Sequence, residues 1–187
     1  GQATRLVEYL HHLDKSYEAE AVLGEVTTTD DPEGPVVARS RAWEGLSEEA
    51  VGEALSRQVG TFLQRPPAFS AKKVDGETAY RMAREGRAPE LEPVPVTVHE
   101  VELLAMELPR VRFRVRCGTG TYIRAMARDL GEALGCGAHL SALRRTRIGR
   151  FAVEDAVEAL GYAPNAAARS LARQGGGRIG LLYSNPS

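Results

Sequence analysis

Strict alternation of apolar and basic residues over positions 111–117 is the feature of this sequence that most restricts its fold. Val111, Phe113, Val115 and Cys117 occupy the odd positions, and arginines occupy the three even positions between them. Because successive side chains of a strand point to opposite faces of a sheet, this period predicts a strand with one buried face and one cationic face. Such half-buried strands are typical of antiparallel or mixed sheets.

Two further segments alternate like strands, and helical segments lie between them. Strands are predicted over 16–24 and 94–104, and the second changes phase near His99, which indicates a β-bulge. Helices are predicted after Ser47, which can cap one, and over 77–85. This mixture predicts an α+β fold with a mixed, mostly antiparallel sheet and flanking helices.

Charge is distributed unevenly along the 187 residues. Positions 110–150 hold ten arginines and two acids, whereas 1–109 hold 11 basic and 20 acidic residues. Arginine binds phosphate through paired hydrogen bonds and stacks on bases, so the basic block favours a nucleic-acid backbone as partner. The alternative is that these arginines pair with acids elsewhere in the chain, because like charges on one strand face repel each other. The candidate RNA ligands in this block are Arg112, Arg114, Arg116, Arg144, Arg145 and Arg147.

The sequence gives little support for a metal site, a calcium loop or a phosphate loop. Adjacent His11 and His12 cannot share one helix face, and no metal site is predicted. The acidic positions 30–33 lack the spacing of a calcium loop and are interpreted as a solvated turn. Positions 118–120 (Gly-Thr-Gly) lack the further residues of a phosphate loop, so we expect a plain strand-to-helix turn and a helix from about Thr121.

The cysteine count and the lengths of the apolar runs indicate the compartment of the protein. Two cysteines are too few for a disulfide framework or a zinc site, which favours the cytoplasm as compartment. No run of about 18 apolar residues is present, so no membrane helix and no membrane partner is expected.

Six motifs occur in a fixed order along the chain. Together they resemble the TruB-type tRNA pseudouridine synthases, which isomerise uridine-55 in the T-loop of tRNA, over about residues 1–157. The Pro-Pro and Ser-Ala-Lys motif favours the bacterial tRNA branch of that family over the guide-RNA branch. The motifs are GQATR (1–5), DKSY (14–17), TDDPEG (29–34), QRPPAFSAKKVDG (64–76), GTGTYIR (118–124) and AHLSALRR (138–145).

The resemblance implies a reaction and a set of site residues. It implies flipping of the target uridine out of the folded T-loop, and catalysis without a cofactor. Tyr17 would stack on the uracil, Tyr122 and Arg124 would lie beside the catalytic aspartate, and Leu143 would form an apolar wall of the pocket. Arg124 would pair with that aspartate, since a fixed guanidinium keeps a nucleophilic carboxylate ionised. Lys15, two residues before Tyr17, joins the RNA-binding set.

One part of the family pattern is not found among the 187 residues. The family's nucleophilic aspartate lies in a Gly-x-Leu-Asp-Pro loop ahead of the segment matched by residues 1–5, whereas Asp14, Asp30 and Asp75 match other family positions. We therefore expect a partial catalytic domain over 1–157, incomplete at its N-terminus and inactive alone. Its expected partner is the T-arm of tRNA, which it would bind as a monomer.

The last 30 residues resemble a different family. Residues 158–173 are similar to the hinge region of LacI-type repressors, and 178–187 to the first strand of their effector domain. No recognition helix precedes them, so a remnant of a DNA-binding regulator is the weaker alternative. A non-catalytic RNA-binding module built from residues 1–157 is the other.

Overall fold

The computed structural model describes residues 10–87 and 89–159. Six strands form one sheet in the order β10-β9-β1-β8-β7-β4, and all neighbouring strands in it are antiparallel; β2 pairs with β3, and β5 with β6. The predicted α+β class with a mostly antiparallel sheet is confirmed. The strands are β1 (Lys15–Leu23), β2 (Glu25–Thr27), β3 (Val36–Arg39), β4 (Gly60–Gln64), β5 (Lys73–Val74), β6 (Glu77–Thr78), β7 (Val94–Glu107), β8 (Arg110–Cys117), β9 (Ala138–Ile148) and β10 (Phe151–Ala152).

Four helices accompany these strands in the described ranges. Ser47 caps α1, as predicted, by accepting a hydrogen bond from the backbone of Ala50. The second helix begins two residues later than predicted, because Glu77 and Thr78 pair with β5 and Thr78 then caps the helix. The helices are α1 (Glu48–Ser56), α2 (Ala79–Arg84), α3 (Ile123–Ala133) and α4 (Val153–Ala159).

The alternation in β8 is confirmed by its burial. Val111, Phe113 and Val115 are fully buried, while the arginines between them are exposed. The phase change predicted near His99 is a register shift between β7 and β8, between Val98 and Glu100. The sheet therefore has two distinct sides, which we call the inner and the outer face.

The inner face carries the hydrophobic core. Apolar side chains of β1 and β8 pack there with α1 and α3, and Phe113, Met126 and Leu130 are among the largest buried side chains. Helix α3 approaches β9 closely, since a Cβ on Gly131 would overlap the backbone of Gly137 and Ala138. This contact fixes the height of α3 above the sheet.

Two sequence predictions fall beyond the described part of the chain. The helical spacing of Ala3, Leu6, Val7 and Leu10 also predicts a helix ahead of β1, but residues 1–9 lie outside the described part of the chain, as does the repressor-like segment from residue 160 onward. Among the described helices, none has the length and hydropathy to span a membrane.

Candidate RNA-binding and catalytic site

The register of β1 and β9 brings the predicted uracil-pocket residues to the inner face. Cross-strand partners share a face, and Leu143 lies opposite Ala19 while Arg145 lies opposite Tyr17. Tyr17 is 8% exposed and belongs to the core, and Leu143 packs against that core while remaining half-buried. Tyr17, Leu143 and Arg145 are therefore neighbours on one surface, although their roles stay predictions.

Lys15 stands at the start of β1 on the same face. Its Nζ donates to the carbonyl oxygens of His11 at 2.7 Å and Leu13 at 2.9 Å. Partial burial lowers the pKa of Lys15, and the nearby Arg145 guanidinium acts in the same direction. The two cations so placed form a positive edge beside Tyr17.

Arg124 of α3 is held by three acceptors. Its Nη1 donates to Asp31 Oδ2 at 2.7 Å and to the Thr29 carbonyl oxygen at 3.1 Å, and its Nη2 donates to the Phe69 carbonyl oxygen at 2.8 Å. The side chains of Arg124 and Asp31 are 26% and 17% exposed. Among the described residues, the carboxylate paired with Arg124 is thus Asp31; pairing with a catalytic aspartate stays a prediction.

Arg128, one helical turn later, makes a second pair of the same kind. It donates to Asp30 Oδ2 at 3.1 Å and to the Arg65 carbonyl oxygen at 2.9 Å, and it also pairs with Asp129. Burial raises the pKa of Asp30, and the Arg128 guanidinium opposes that rise. We call Arg124–Asp31 and Arg128–Asp30 the inner ion pairs.

The interpretation of positions 30–33 as a solvated turn holds for the exposed Pro32 and Glu33 but is wrong for Asp30. Asp30 is only 9% exposed and adopts a φ of 59°, a left-handed conformation that Asp tolerates better than most residues. Its backbone carbonyl accepts a hydrogen bond from Leu140. The turn is therefore folded against α3 and β9, and the signal that could have shown this is the i, i+4 spacing of two arginines in α3.

On the outer face, acids of the neighbouring strands lie opposite the arginines of β8. Arg114 pairs with Glu18 at 3.1 Å and with Glu102 at 2.8 Å, and Arg116 pairs with Asp14 at 3.4 Å. The alternative of acid partners is thus realised at these two arginines, and also at Arg144, which pairs with Glu154 at 3.7 Å. We call these contacts the outer ion pairs.

The six arginines that the sequence placed in one group are divided between the two faces. Arg145 lies on the inner face, whereas Arg144, opposite Glu18, and Arg147, opposite Ser16, lie on the outer face with the arginines of β8. Their role in binding RNA stays a prediction. In the described ranges, no ion pair involves Arg112, Arg145 or Arg147.

Tyr122 precedes α3 as its N-cap and is held through its backbone. The predicted helix start at about Thr121 is two residues early, because Thr121 Oγ1 donates to the Gly118 carbonyl oxygen and Tyr122 stays extended. The Tyr122 N–H donates to Gln64 Oε1 at 2.8 Å, and its carbonyl oxygen accepts from Gln64 Nε2 at 3.1 Å. Gln64 is the first residue of the motif at 64–76, but sequence reasoning assigned it no role.

The described part of the chain has no cysteine suited to act as a nucleophile and no side-chain cluster suited to hold a metal ion. Burial raises the pKa of the Cys117 thiol to about 11, which leaves too little thiolate for a nucleophile. Cys117 and Cys136 are both free and buried. No group of three or more His, Cys, Asp or Glu side chains there is arranged to hold a metal ion.

Family models match most of the chain. Residues 1–123 match the N-terminal domain of TruB family pseudouridylate synthases, and residues 124–162 match the C-terminal domain of tRNA pseudouridylate synthase B.

Solved structures with the same fold are similar over 82% of this chain. A Cbf5-Nop10-Gar1 complex has a TM-score of 0.58 at 30% identity and is matched over 36% of its chain. An H/ACA ribonucleoprotein bound to a substrate RNA containing 2'-deoxyuridine has a TM-score of 0.54 at 27% identity and is matched over 34%.

Curated relatives carry the name tRNA pseudouridine synthase B. The chain is 43% identical to the protein of Syntrophotalea carbinolica and 47% identical to that of Burkholderia mallei, over 157 residues and 84% of the chain in both cases. Each alignment covers 51% of the relative, so the chain spans about half the length of these proteins. The six motifs, the fold and these matches agree, and the chain belongs to the TruB family of pseudouridine synthases.

Proposed function

We propose that this chain supplies the RNA-binding and uridine-orienting part of a bacterial tRNA pseudouridine synthase that acts on the T-arm. The observation that carries the proposal is the placement of Tyr17, Leu143 and Arg145 on one face of the sheet. Helix α3, which carries Arg124, packs against that same face.

The residues on this face suit the isomerisation. The C–N glycosidic bond between uracil and ribose breaks, and a C–C bond forms between the same uracil and the same ribose. No atoms are gained or lost, so no cofactor is needed. Tyr17, which lies against the core at 8% exposure, is a residue of the type that stacks on a flipped pyrimidine, and Leu143 beside it would supply an apolar wall. The Arg124 guanidinium has the charge that a nucleophilic carboxylate needs nearby to remain ionised.

The nucleophile itself is the part that we assign to a segment outside these 187 residues. In the family pattern it is an aspartate in a Leu-Asp-Pro loop, and no such loop occurs in the sequence. Accordingly, the chain alone would bind a T-arm stem-loop without converting it.

A tritium-release assay tests this division of labour. A T-arm stem-loop carrying [5-³H]uridine is incubated with the 187-residue chain, and with the chain fused behind a segment that carries the family's Leu-Asp-Pro loop. We expect release only from the fusion. Release by the chain alone would refute the missing nucleophile, whereas T-arm binding without release by the fusion would favour a non-catalytic RNA-binding module.

Three further assignments concern the compartment, the mass in solution and the domain boundary. The free, buried thiols of Cys117 and Cys136 suit the reducing cytoplasm that we propose as compartment.

We also propose a monomer, and a boundary near residue 157 between the catalytic domain and an unrelated repressor-like tail. Size-exclusion chromatography with light scattering measures the mass in solution, and deletion of residues 158–187 without loss of T-arm binding would support the boundary.

A further inference from the structure

Gln64 joins the end of β4 to the start of α3. Its carboxamide oxygen and nitrogen both bond the backbone of Tyr122, 58 residues away, at 2.8 and 3.1 Å. The side chain is 1% exposed, so neither bond competes with water. An unpaired partner at such depth would lose its hydration without compensation.

The two bonds act on the two peptide groups that flank the Tyr122 Cα. The N–H belongs to the peptide group before Tyr122 and the carbonyl to the one after it, so the pair fixes φ and ψ together, at −94° and 109°. Those angles set the direction of the Cα–Cβ bond. Tyr122 is also the N-cap of α3 and makes no side-chain capping bond. Its carbonyl oxygen accepts from the Met126 N–H of the helix at 3.2 Å as well as from Gln64 Nε2, so α3 and Gln64 hold its backbone together.

The sequence around Gln64 explains why a side chain makes this connection. Pro66 and Pro67 follow it, and prolines have no backbone N–H to donate. The segment 64–69 is attached to α3 only through side chains in the described structure: Gln64 to Tyr122, Arg128 to the Arg65 carbonyl, and Arg124 to the Phe69 carbonyl. A carboxamide presents a donor and an acceptor on one planar group, as this bond pair requires.

We propose that Gln64 is a positioning residue that sets the Tyr122 ring relative to the inner face through this pair of backbone bonds. The inference rests on the proposed function, because it assigns Tyr122 to the RNA site. Gln64 itself does not touch the uridine.

The test compares two glutamines that both bond α3, Gln64 in the interior and Gln58 half-buried. Gln58 Nε2 donates to the Met126 carbonyl oxygen at 3.2 Å, one turn beyond Tyr122, and serves as the matched control. The 187-residue chain is labelled with 3-fluorotyrosine, and the Tyr122 signal among its six tyrosines is assigned with Tyr122→Phe. We expect Gln64→Leu to shift and broaden the Tyr122 fluorine signal at temperatures well below unfolding, and Gln58→Leu to leave it in place.

A second variant keeps the test decisive if Gln64→Leu does not fold. In Gln64→Glu, an ionised carboxylate accepts from the Tyr122 N–H but repels its carbonyl oxygen, whereas the protonated carboxyl makes both bonds. The Tyr122 signal of this variant should therefore return toward the wild-type position as the pH is lowered. Gln58→Glu should show no such return.

RNA affinity separates this inference from the proposed function. We expect Gln64→Leu to bind a T-arm stem-loop roughly tenfold more weakly, equivalent to about 1.4 kcal/mol, and Gln58→Leu to bind like wild type. An unchanged Tyr122 signal in the Gln64 variants, or an equal shift in the Gln58 variants, would overturn the positioning role. Failure of the wild-type chain to bind the stem-loop would instead overturn the proposed function, while the fluorine signal still decides whether Gln64 orients Tyr122.

Discussion

The inner and outer ion pairs have nearly the same geometry in different surroundings. Arg124–Asp31 and Arg128–Asp30 span 2.7 and 3.1 Å, and the two contacts of Arg114 span 2.8 and 3.1 Å. The inner side chains are 12–26% exposed, whereas Arg114 is 47% exposed and both of its partners are at least 30% exposed. Distance alone therefore does not rank these ion pairs.

Exposure to water determines how much each ion pair contributes to stability. An exposed pair exchanges two hydrated ions for a contact that water and salt screen, so it adds little to stability. A buried pair has lost its hydration, and removal of one partner leaves the other charged and uncompensated. The inner pairs therefore hold the turn at 30–33 and the segment 64–69 against α3, while the outer pairs mainly neutralise a sheet face.

The largest expected effect is on stability when Arg128 is removed. Arg128→Met leaves Asp30 buried without its main cationic partner and also loses the bond to the Arg65 carbonyl, which we expect to cost about 2–3 kcal/mol of unfolding free energy. Urea denaturation measures this. The matched change on the outer face, Arg114→Met, should leave the midpoint unchanged within error, and equal losses in the two variants would break the comparison.

Double-mutant cycles measure the interaction energy of one ion pair on each face. The cycle of Arg128→Met with Asp30→Asn, which keeps a side chain suited to the positive φ, should give a coupling energy of about 1–2 kcal/mol. The cycle of Arg114→Met with Glu102→Gln should give none that can be measured. A larger coupling on the outer face would mean that water screens it less than its exposure indicates.

The pH dependence of stability gives a smaller effect with a defined sign. Burial raises the pKa of Asp30 above its ordinary value of 3.8, so between the two pKa values the folded protein holds a proton that the unfolded chain has lost. Folding then takes up a proton, and the contribution of Asp30 to stability grows as the pH falls through its folded pKa. It reaches its full value below the unfolded pKa.

Asp30→Asn isolates this contribution from those of the other carboxylates. The unfolding free energy of wild type minus that of Asp30→Asn should increase when the pH is lowered from about 7 to about 4, and urea denaturation at each pH measures it. A difference that decreases would show that the attraction of Arg128 outweighs the burial of Asp30.

Local patterns in the sequence predicted the elements well. The alternation in β8, the bulge near His99 and the Ser47 cap are properties of short segments, and each depends on neighbours within a few residues. Helix starts were less accurate, because Tyr122 is held extended by Gln64, a residue 58 positions away.

Contacts between distant segments could not be predicted in the same way. Arg124 and Asp31 are 93 residues apart, and their pairing depends on how the turn folds over α3. The acids opposite the β8 arginines depend on strand order, since β8 lies between β1 and β7. The sequence shows charges alternating on all three strands, but not which strands are neighbours. For that reason the sequence predicts one RNA-binding group of arginines, whereas the structure divides them between two faces.

The smallest expected effect, on the salt dependence of RNA binding, shows which face meets the RNA. Arg145 lies beside Tyr17 on the inner face and Arg112 lies on the outer face, and neither has an ion pair in the described structure. If the inner face binds the T-arm, Arg145→Ala should lower the slope of log K against log salt by about 0.7–0.9, the value of one lost phosphate contact, and Arg112→Ala should leave it unchanged. Fluorescence anisotropy over a salt series measures both slopes with one labelled stem-loop. The reverse result would move the RNA to the outer face, where Arg114 and Arg116 would have to exchange their acid partners for phosphates.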